Sequence, residues 1–242
     1  MAIGSVEEAL AQAGVTAATL SPADARALDD DGYVVLRGAI PAECLDDLRA
    51  RFEAAVLAPD RWPAPREHGT RHAMLENDAA VRRVCLSPPL LAAAFHVLKE
   101  RFFFKGVQGR DPSPGGGYQL LHRDWPDDGA VPGIVVGLGF LDPFGAANGA
   151  TRLVPGTHFE AGEMNDYSRH VMHPREIVAE GDPGDVLIFH GRLVHSGLRN
   201  ESGAPRRTLQ VCWQCHSSIA TVRETRDLSA ASPLDRYWMG AD

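Results

Sequence analysis

The string Leu120-Leu121-His122-Arg123-Asp124-Trp125 sets an imidazole and a carboxylate two positions apart. In an extended segment residues i and i+2 share a face, so His122 and Asp124 project together and Arg123 projects away. Such a pair can hold two positions of a divalent metal, with a third ligand drawn from elsewhere. A set of two histidines and one carboxylate leaves positions open for a co-substrate and dioxygen. Taken alone, the pair reads equally well as a surface polar pair. A second string, Gly184 to His195, runs from a turn through an apolar strand and a glycine bend to a histidine, followed by Ser196-Gly197.

Other residues invite chemistry and carry less. Cys212-Trp213-Gln214-Cys215-His216 has the form of a c-type haem attachment site and contains a dithiol spacing. On a strand, however, Cys212 and Cys215 fall on opposite faces, so core cysteines are expected. His158, His170 and His173 form a rival cluster that would abandon the His122/Asp124 pair. His158 is better used to bond a loop to the barrel rim, and His190 is read as structural. His68 and His72 lie in or beside a loop where they could touch a substrate or stay solvated.

These groups need a frame. Ser21-Pro22 with Asp24 reads as a cap, a first-turn proline and an acidic first turn of a helix to about Asp30. Tyr33 to Leu36 follows as a strand, and Pro41 to about Leu57 as a helix burying Leu45, Leu48, Phe52 and Val56. Pro59 to His72 has no periodicity and is expected to be a loop, long enough to act as a lid. Asp78 to Leu86 and Pro89 to Leu98 read as helices. From there the pattern is β: Arg101 to Val107, Tyr118 to Asp124, Ile134 to Leu141, Thr151 to Val154, Asp185 to Phe189 and Thr208 to Cys215, with a Pro/Gly loop over Asp111 to Gly117. Many short strands behind a helical N-terminal third predict a mainly β jelly roll or sandwich with helices packed on one sheet. One domain over residues 1–242 is expected.

Composition narrows the function classes. The chain has 242 residues, 44% hydrophobic and 23% charged, with a net charge of -8. Lys99 and Lys105 are the only two lysines. Clustered cations for nucleic-acid phosphates are missing, so that partner is excluded. No run approaches the roughly 18 apolar residues of a membrane span, and Met1 to Leu10 lacks the pattern of a signal peptide. A soluble, reduced, cytoplasmic protein is expected. Composition leaves monomer and homodimer both open.

The ordered motifs resemble the phytanoyl-CoA dioxygenase-like family of iron(II)- and 2-oxoglutarate-dependent oxygenases, which share a double-stranded β-helix of cupin-like form. The His122/Asp124 pair is followed by Asn148-Gly149, Pro155-Gly156-Thr157-His158 and Gly184-Asp185, then His195, Asn200 and Arg206. Asp31-Gly32-Tyr33-Val34-Val35-Leu36 is similar to the family's opening strand. The resemblance covers about Ser21 to His216. It implies iron(II) on His122, Asp124 and His195, with dioxygen and 2-oxoglutarate as co-substrates and succinate and carbon dioxide as products. It also implies that Arg206 holds the distal carboxylate of 2-oxoglutarate, for which a planar guanidinium is suited; Arg207 is assigned to structure or solvent. The family often carries a small hydroxyl residue two positions past the distal histidine, where this chain has Gly197. Thr208 can supply that hydroxyl, and Gln108, Gln119 and Lys105 are candidates for the keto-acid end or for substrate. Because Asp124 is retained, halogenation is disfavoured.

Trp125, Trp62, Phe104, Arg66 and Arg123 are expected around the substrate, although aromatics commonly just fill a core. The polar segment Phe159 to Pro174 is expected to shape the pocket. The substrate reading is a small polar natural-product intermediate, sugar-bearing ones included, as for the orthosomycin-type oligosaccharide oxygenases. Hydroxylation and oxidative ring closure both remain open. Amino-acid, polyketide and acyl-thioester substrates are the alternatives, with a cupin-like binding protein or a zinc hydrolase as rivals from other classes.

Overall fold

The structure is a computed structural model and describes residues 3–58, 69–125, 133–161, 172–218 and 231–240. Short helices open the chain: α1 (Val6–Gln12), α2 (Pro22–Asp30), α3 (Leu45–Ala54), α4 (Ala79–Cys85) and α5 (Pro88–Leu98). Their starts are chemically marked. Ser21 accepts from the Asp24 amide at α2, and Asp78 accepts from Ala80 and Val81 at α4, satisfying amides that have no partner within the helix. The strands are β1 (Tyr33–Leu36), β2 (Thr70–Met74), β3 (Phe102–Pro112), β4 (Ile134–Phe140), β5 (Thr151–Val154), β6 (Ile177–Val178), β7 (Val186–His190), β8 (Val194–Gly197) and β9 (Thr208–Cys215). A last helix, α6, spans Pro233–Trp238.

Six strands form an antiparallel sheet in the order β1-β7-β4-β9-β3-β2, and three form a smaller one, β6-β5-β8. This is the expected mainly β jelly roll. Alternation along the large sheet splits its side chains. Val186, Ile188, Leu209, Val211, Trp213 and Cys215 join the helices in one core. Leu187, Phe189, Ile134, Val136, Leu138 and Phe140 join Leu153 of β5 in a second core inside the roll. Each large side chain buried this way stabilises the fold by about 1.5–3 kcal/mol. At Gly137 of β4 a Cβ would stand 2.7 Å from Val211 and 3.0 Å from Trp213; there the indole takes the space a side chain would occupy.

Several sequence expectations need correction. Residues 70–72, expected in a loop, begin β2, which pairs with β3 from Thr70↔Pro112 to Met74↔Gln108. Residues 59–68 of that expected lid lie outside the described residues, as do 162–171 of the polar insert. β3 runs on to Pro112 instead of ending at Val107. Residues 118–124 form no ladder: they meet the smaller sheet at one bridge, His122↔His195, and through Gln119, whose amide donates to the Gly197 carbonyl. Beyond it the amides of Asp124 and Trp125 both donate to the Gly191 carbonyl, a convergence that bends the chain out of register. Among the described residues no single helix is long and apolar enough to cross a membrane.

Candidate metal centre

The bridge between His122 and His195 is where the site is built. Their backbones exchange both hydrogen bonds, at 2.9 and 3.0 Å, so the side chains leave one sheet edge as neighbours. Their ring centroids lie 4.5 Å apart. Behind His195, β8 is registered on β5 with Leu153↔His195 and Arg152↔Ser196. The buried Thr157 hydroxyl donates to the Val154 carbonyl at 2.7 Å and accepts from the Val194 amide at 2.9 Å. That is the physical use of the Pro-Gly-Thr-His turn: it ties the strand before His195 in place. His158, next in the turn, bonds the Asp29 carbonyl through Nε2, so it ties the turn to the end of helix α2 and not to the barrel rim as expected.

Asp124 completes the group. Its Oδ1 is 3.6 Å from His122 Nε2 and its Oδ2 is 3.5 Å from His195 Nε2. One ligand atom from each of the three lies within 4.8 Å of the others, and no other such metal-binding group occurs among the described residues. The second nitrogens are also placed. His122 Nδ1 lies 2.8 Å from the Leu120 carbonyl and His195 Nδ1 2.9 Å from the Leu193 carbonyl. A carbonyl only accepts, so both Nδ1 atoms carry a proton and both Nε2 atoms are left facing the centre. This is how a metal-binding histidine is oriented and its tautomer fixed.

Electrostatics agree with that donor set. Burial pushes His195 down to about 4 against the opposing pull of Asp124, so the ring is neutral near pH 7 and no proton has to leave before it binds a cation. Burial alone would raise Asp124, but His122 and His195 in their protonated forms, together with the Arg110 charge, hold it near 2. Two imidazoles and one carboxylate on one side of a point suit iron(II) with open positions opposite.

A cavity beside the three ligands is lined by Arg206, Thr208, Gln119, Arg110, Thr151, Phe189 and Gln210, with Gly197 at its wall. Arg206 is buried, and its position is over-determined. Its amide donates to the buried Asp111 carboxylate at 3.0 Å. Asn148 donates to the Pro205 carbonyl at 3.2 Å, and Asn200 donates to the Ala204 and Pro112 carbonyls, each at 2.9 Å. The Asn148-Gly149 and Asn200 motifs therefore act through the backbone that carries Arg206. Arg207 turns away to a two-pronged pair with Asp142. At Gly197 a Cβ would stand 2.7 Å from the Gly117 carbonyl oxygen, so the family's hydroxyl residue has no room here. Ser196 cannot replace it, because its buried hydroxyl accepts from Arg152 Nε at 2.7 Å. The Gln119 side chain accepts from the Gly197 amide at 3.0 Å.

A second cavity, adjoining the first at Asp124, has a volume of about 320 Å³ and contains Lys105, Gln108, Glu76 and Cys212. Arg110, Gln210 and Asp124 belong to both cavities. Arg110 and Gln210 were missed from sequence, although alternation from Gln108 on β3 and from Thr208 on β9 selects them. Trp125 packs beside the inner core, its ring against Gly133. Phe104 is a correction: it is fully buried among the helices, on the far face of the large sheet. Arg123 is another, since its guanidinium donates to the Arg192, Thr157 and Glu160 carbonyls and braces the loops. Trp62, Arg66, His68 and His170 lie outside the described residues. Cys212 and Cys215 are free and face opposite ways, as expected.

Residues 28–208 match the sequence profile of the phytanoyl-CoA dioxygenase (PhyH) family. Two curated fungal relatives are the dioxygenase aneA of Aspergillus aculeatus and the iron/alpha-ketoglutarate-dependent dioxygenase ausO of Aspergillus calidoustus. The first is 30% identical over 75% of this chain and 68% of its own length. The second is 25% identical over 93% of this chain and 84% of its own. Among solved structures, HygX of Streptomyces hygroscopicus with nickel, 2-oxoglutarate and hygromycin B bound has a TM-score of 0.69 at 16% identity, covering 81% of this chain and 88% of that one. EctD of S. alaskensis with 2-oxoglutarate and 5-hydroxyectoine has a TM-score of 0.69 at 18% identity, covering 88% and 84%. At these identities the structural likeness shows the fold.

Proposed function

Because this chain belongs to the phytanoyl-CoA dioxygenase family of iron(II)- and 2-oxoglutarate-dependent oxygenases, we propose that it hydroxylates or oxidatively cyclises a small polar natural-product intermediate, sugar-bearing or not, releasing succinate and carbon dioxide. The observation that carries this is the trio His122, Asp124 and His195, with both Nδ1 atoms tied to carbonyls and Arg206 beside it in one cavity. In this reading the trio holds iron within a single domain, and Arg206 pairs with the far carboxylate of 2-oxoglutarate. Iron and 2-oxoglutarate, when bound, supply the oxidising chemistry. The protein's part is geometry. His195 arrives neutral, Asp124 arrives ionised, Thr208 lines the co-substrate side, and Phe189 packs 4.6 Å from the His195 ring and shields it.

The small-molecule reading draws support from fold neighbours whose structures hold hygromycin B or 5-hydroxyectoine beside 2-oxoglutarate. The test is oxygen-dependent release of succinate from 2-oxoglutarate by iron-loaded protein, with and without metabolite extract. Stimulation by extract, lost in Asp124→Ala, is the expected result. Turnover of the extract by zinc-loaded protein without oxygen would mark a hydrolase and overturn it.

A further inference from the structure

β3 carries one irregularity, and it lies at the second cavity. Its register against β9 shifts between Phe104↔Trp213 and Gly106↔Cys212, so Lys105 is the extra residue of a bulge. Such bulges re-aim a side chain and recur beside active sites. The effect here is visible in the packing: Phe102 and Phe104 before the bulge and Val107 after it all face the helix core. An unbroken alternation would have put Val107 on the other side. The inserted residue lines the cavity next to Asp124 instead of lying in the ladder.

This cavity is distinct in character from the one holding Arg206. Its walls include apolar Ile134 and Val136 and the amides of Gln108 and Gln210. Its volume, about 320 Å³, is at the small end of the roughly 300–1,000 Å³ usual for ligand sites. Asp124 belongs to the metal. Among the remaining charged residues, Lys105 and Arg110 outnumber Glu76 and leave a positive surplus in a chain of net charge -8. Lys105 is one of only two lysines; the other, Lys99, ends α5 in a left-handed turn with φ 56.

We infer that the bulge delivers Lys105 as the anchor for a single anionic group, of carboxylate type, on the primary substrate, which occupies the cavity beyond Asp124 with its hydrocarbon part on Ile134 and Val136. This rests on the oxygenase reading above and assigns Lys105 and Gln108 to substrate, not to 2-oxoglutarate. Lys105 is then a specificity determinant, and uncharged analogues of the true substrate bind poorly.

The test is an anaerobic titration of protein loaded with iron(II) and 2-oxoglutarate, followed through the visible absorption of the iron chelate. The probes are small monocarboxylates, straight-chain and cyclic, each beside its primary amide. Carboxylates are expected to shift the band and the amides not. The response is expected to weaken about tenfold in Lys105→Met and to return in Lys105→Arg. The unshifted band itself should stay unchanged in both variants, which also reports that they fold. Amides acting as well as acids, no carboxylate acting at all, undiminished binding by Lys105→Met, or weakened 2-oxoglutarate binding by that variant would each overturn the assignment. Absence of the band in the unmodified protein would instead overturn the oxygenase reading.

Discussion

Arg152 and Glu176 form an ion pair at 3.1 Å, with side chains only 3% and 4% exposed. It stands behind the metal centre, because Arg152 also donates to Ser196, the neighbour of His195. Glu176→Gln strands a buried guanidinium without its counter-charge, which costs about 3–5 kcal/mol. A domain is stable by only about 5–15 kcal/mol, so the variant should fold with little margin. With a urea slope of about 2.5 kcal/mol per molar, a 4 kcal/mol loss lowers the unfolding midpoint by about 1.5 M. Removing the charge as well, in Arg152→Met with Glu176→Gln, should recover at least half of that, since most of the loss is the stranded charge and not a missing attraction. Urea unfolding of Glu176→Gln, Arg152→Met, the double variant and the parent reads the cycle. If the double variant is no more stable than Glu176→Gln alone, the argument from an uncompensated buried charge is wrong.

Arg206→Leu should weaken 2-oxoglutarate by about 10- to 150-fold, the value of a lost hydrogen-bonded charge, whereas Thr208→Val should weaken it by only about fivefold; calorimetric titration separates the two. Gly197→Ser, which restores the family's usual hydroxyl, should weaken 2-oxoglutarate binding and lower the melting temperature, because its Cβ would meet the Gly117 carbonyl oxygen at 2.7 Å; tighter binding would contradict the packing. His158 and His190, with rings 5.3 Å apart, are both held below the ordinary histidine value, first by burial, and His190 reaches about 3. The unfolded rings take up protons near about pH 6.5, so stability is full above that and falls as pH drops towards 3. Each ring contributes at most about 1.4 kcal/mol per pH unit. Melting temperatures between pH 7 and 5 should therefore decline, and less steeply in His190→Gln.

What could be read from sequence followed the strength of local signals. α2 began where Ser21, Pro22 and Asp24 placed it, and β9 matched from Thr208 to Cys215 because its alternation separates a core face from a cavity face. β2 was missed because Thr70–Met74 has no alternation of its own and is held as an edge by β3. β8 was missed because its four residues end at a glycine and draw their order from β5 and Thr157. The segment 118–124 was given a strand it does not form, yet His122 and Asp124 still converge, because a single bridge and the shared Gly191 carbonyl suffice to aim them. Phe104 was misplaced because a bulge reverses facing, and only the pairing with β9 reveals one. Arg110 lay within reach of alternation from Gln108, but the expected strand ended at Val107, short of both.

The central claim is that His122, Asp124 and His195 hold one iron to which 2-oxoglutarate adds. Anaerobic titration of the protein with iron(II) and 2-oxoglutarate, followed by the visible band of the chelate, tests it most directly. The band should saturate at one iron per chain, be abolished in Asp124→Ala and His195→Ala, and shift to far higher 2-oxoglutarate in Arg206→Leu. A well-folded protein that gives no band, or one whose band survives loss of Asp124 and His195, would contradict it.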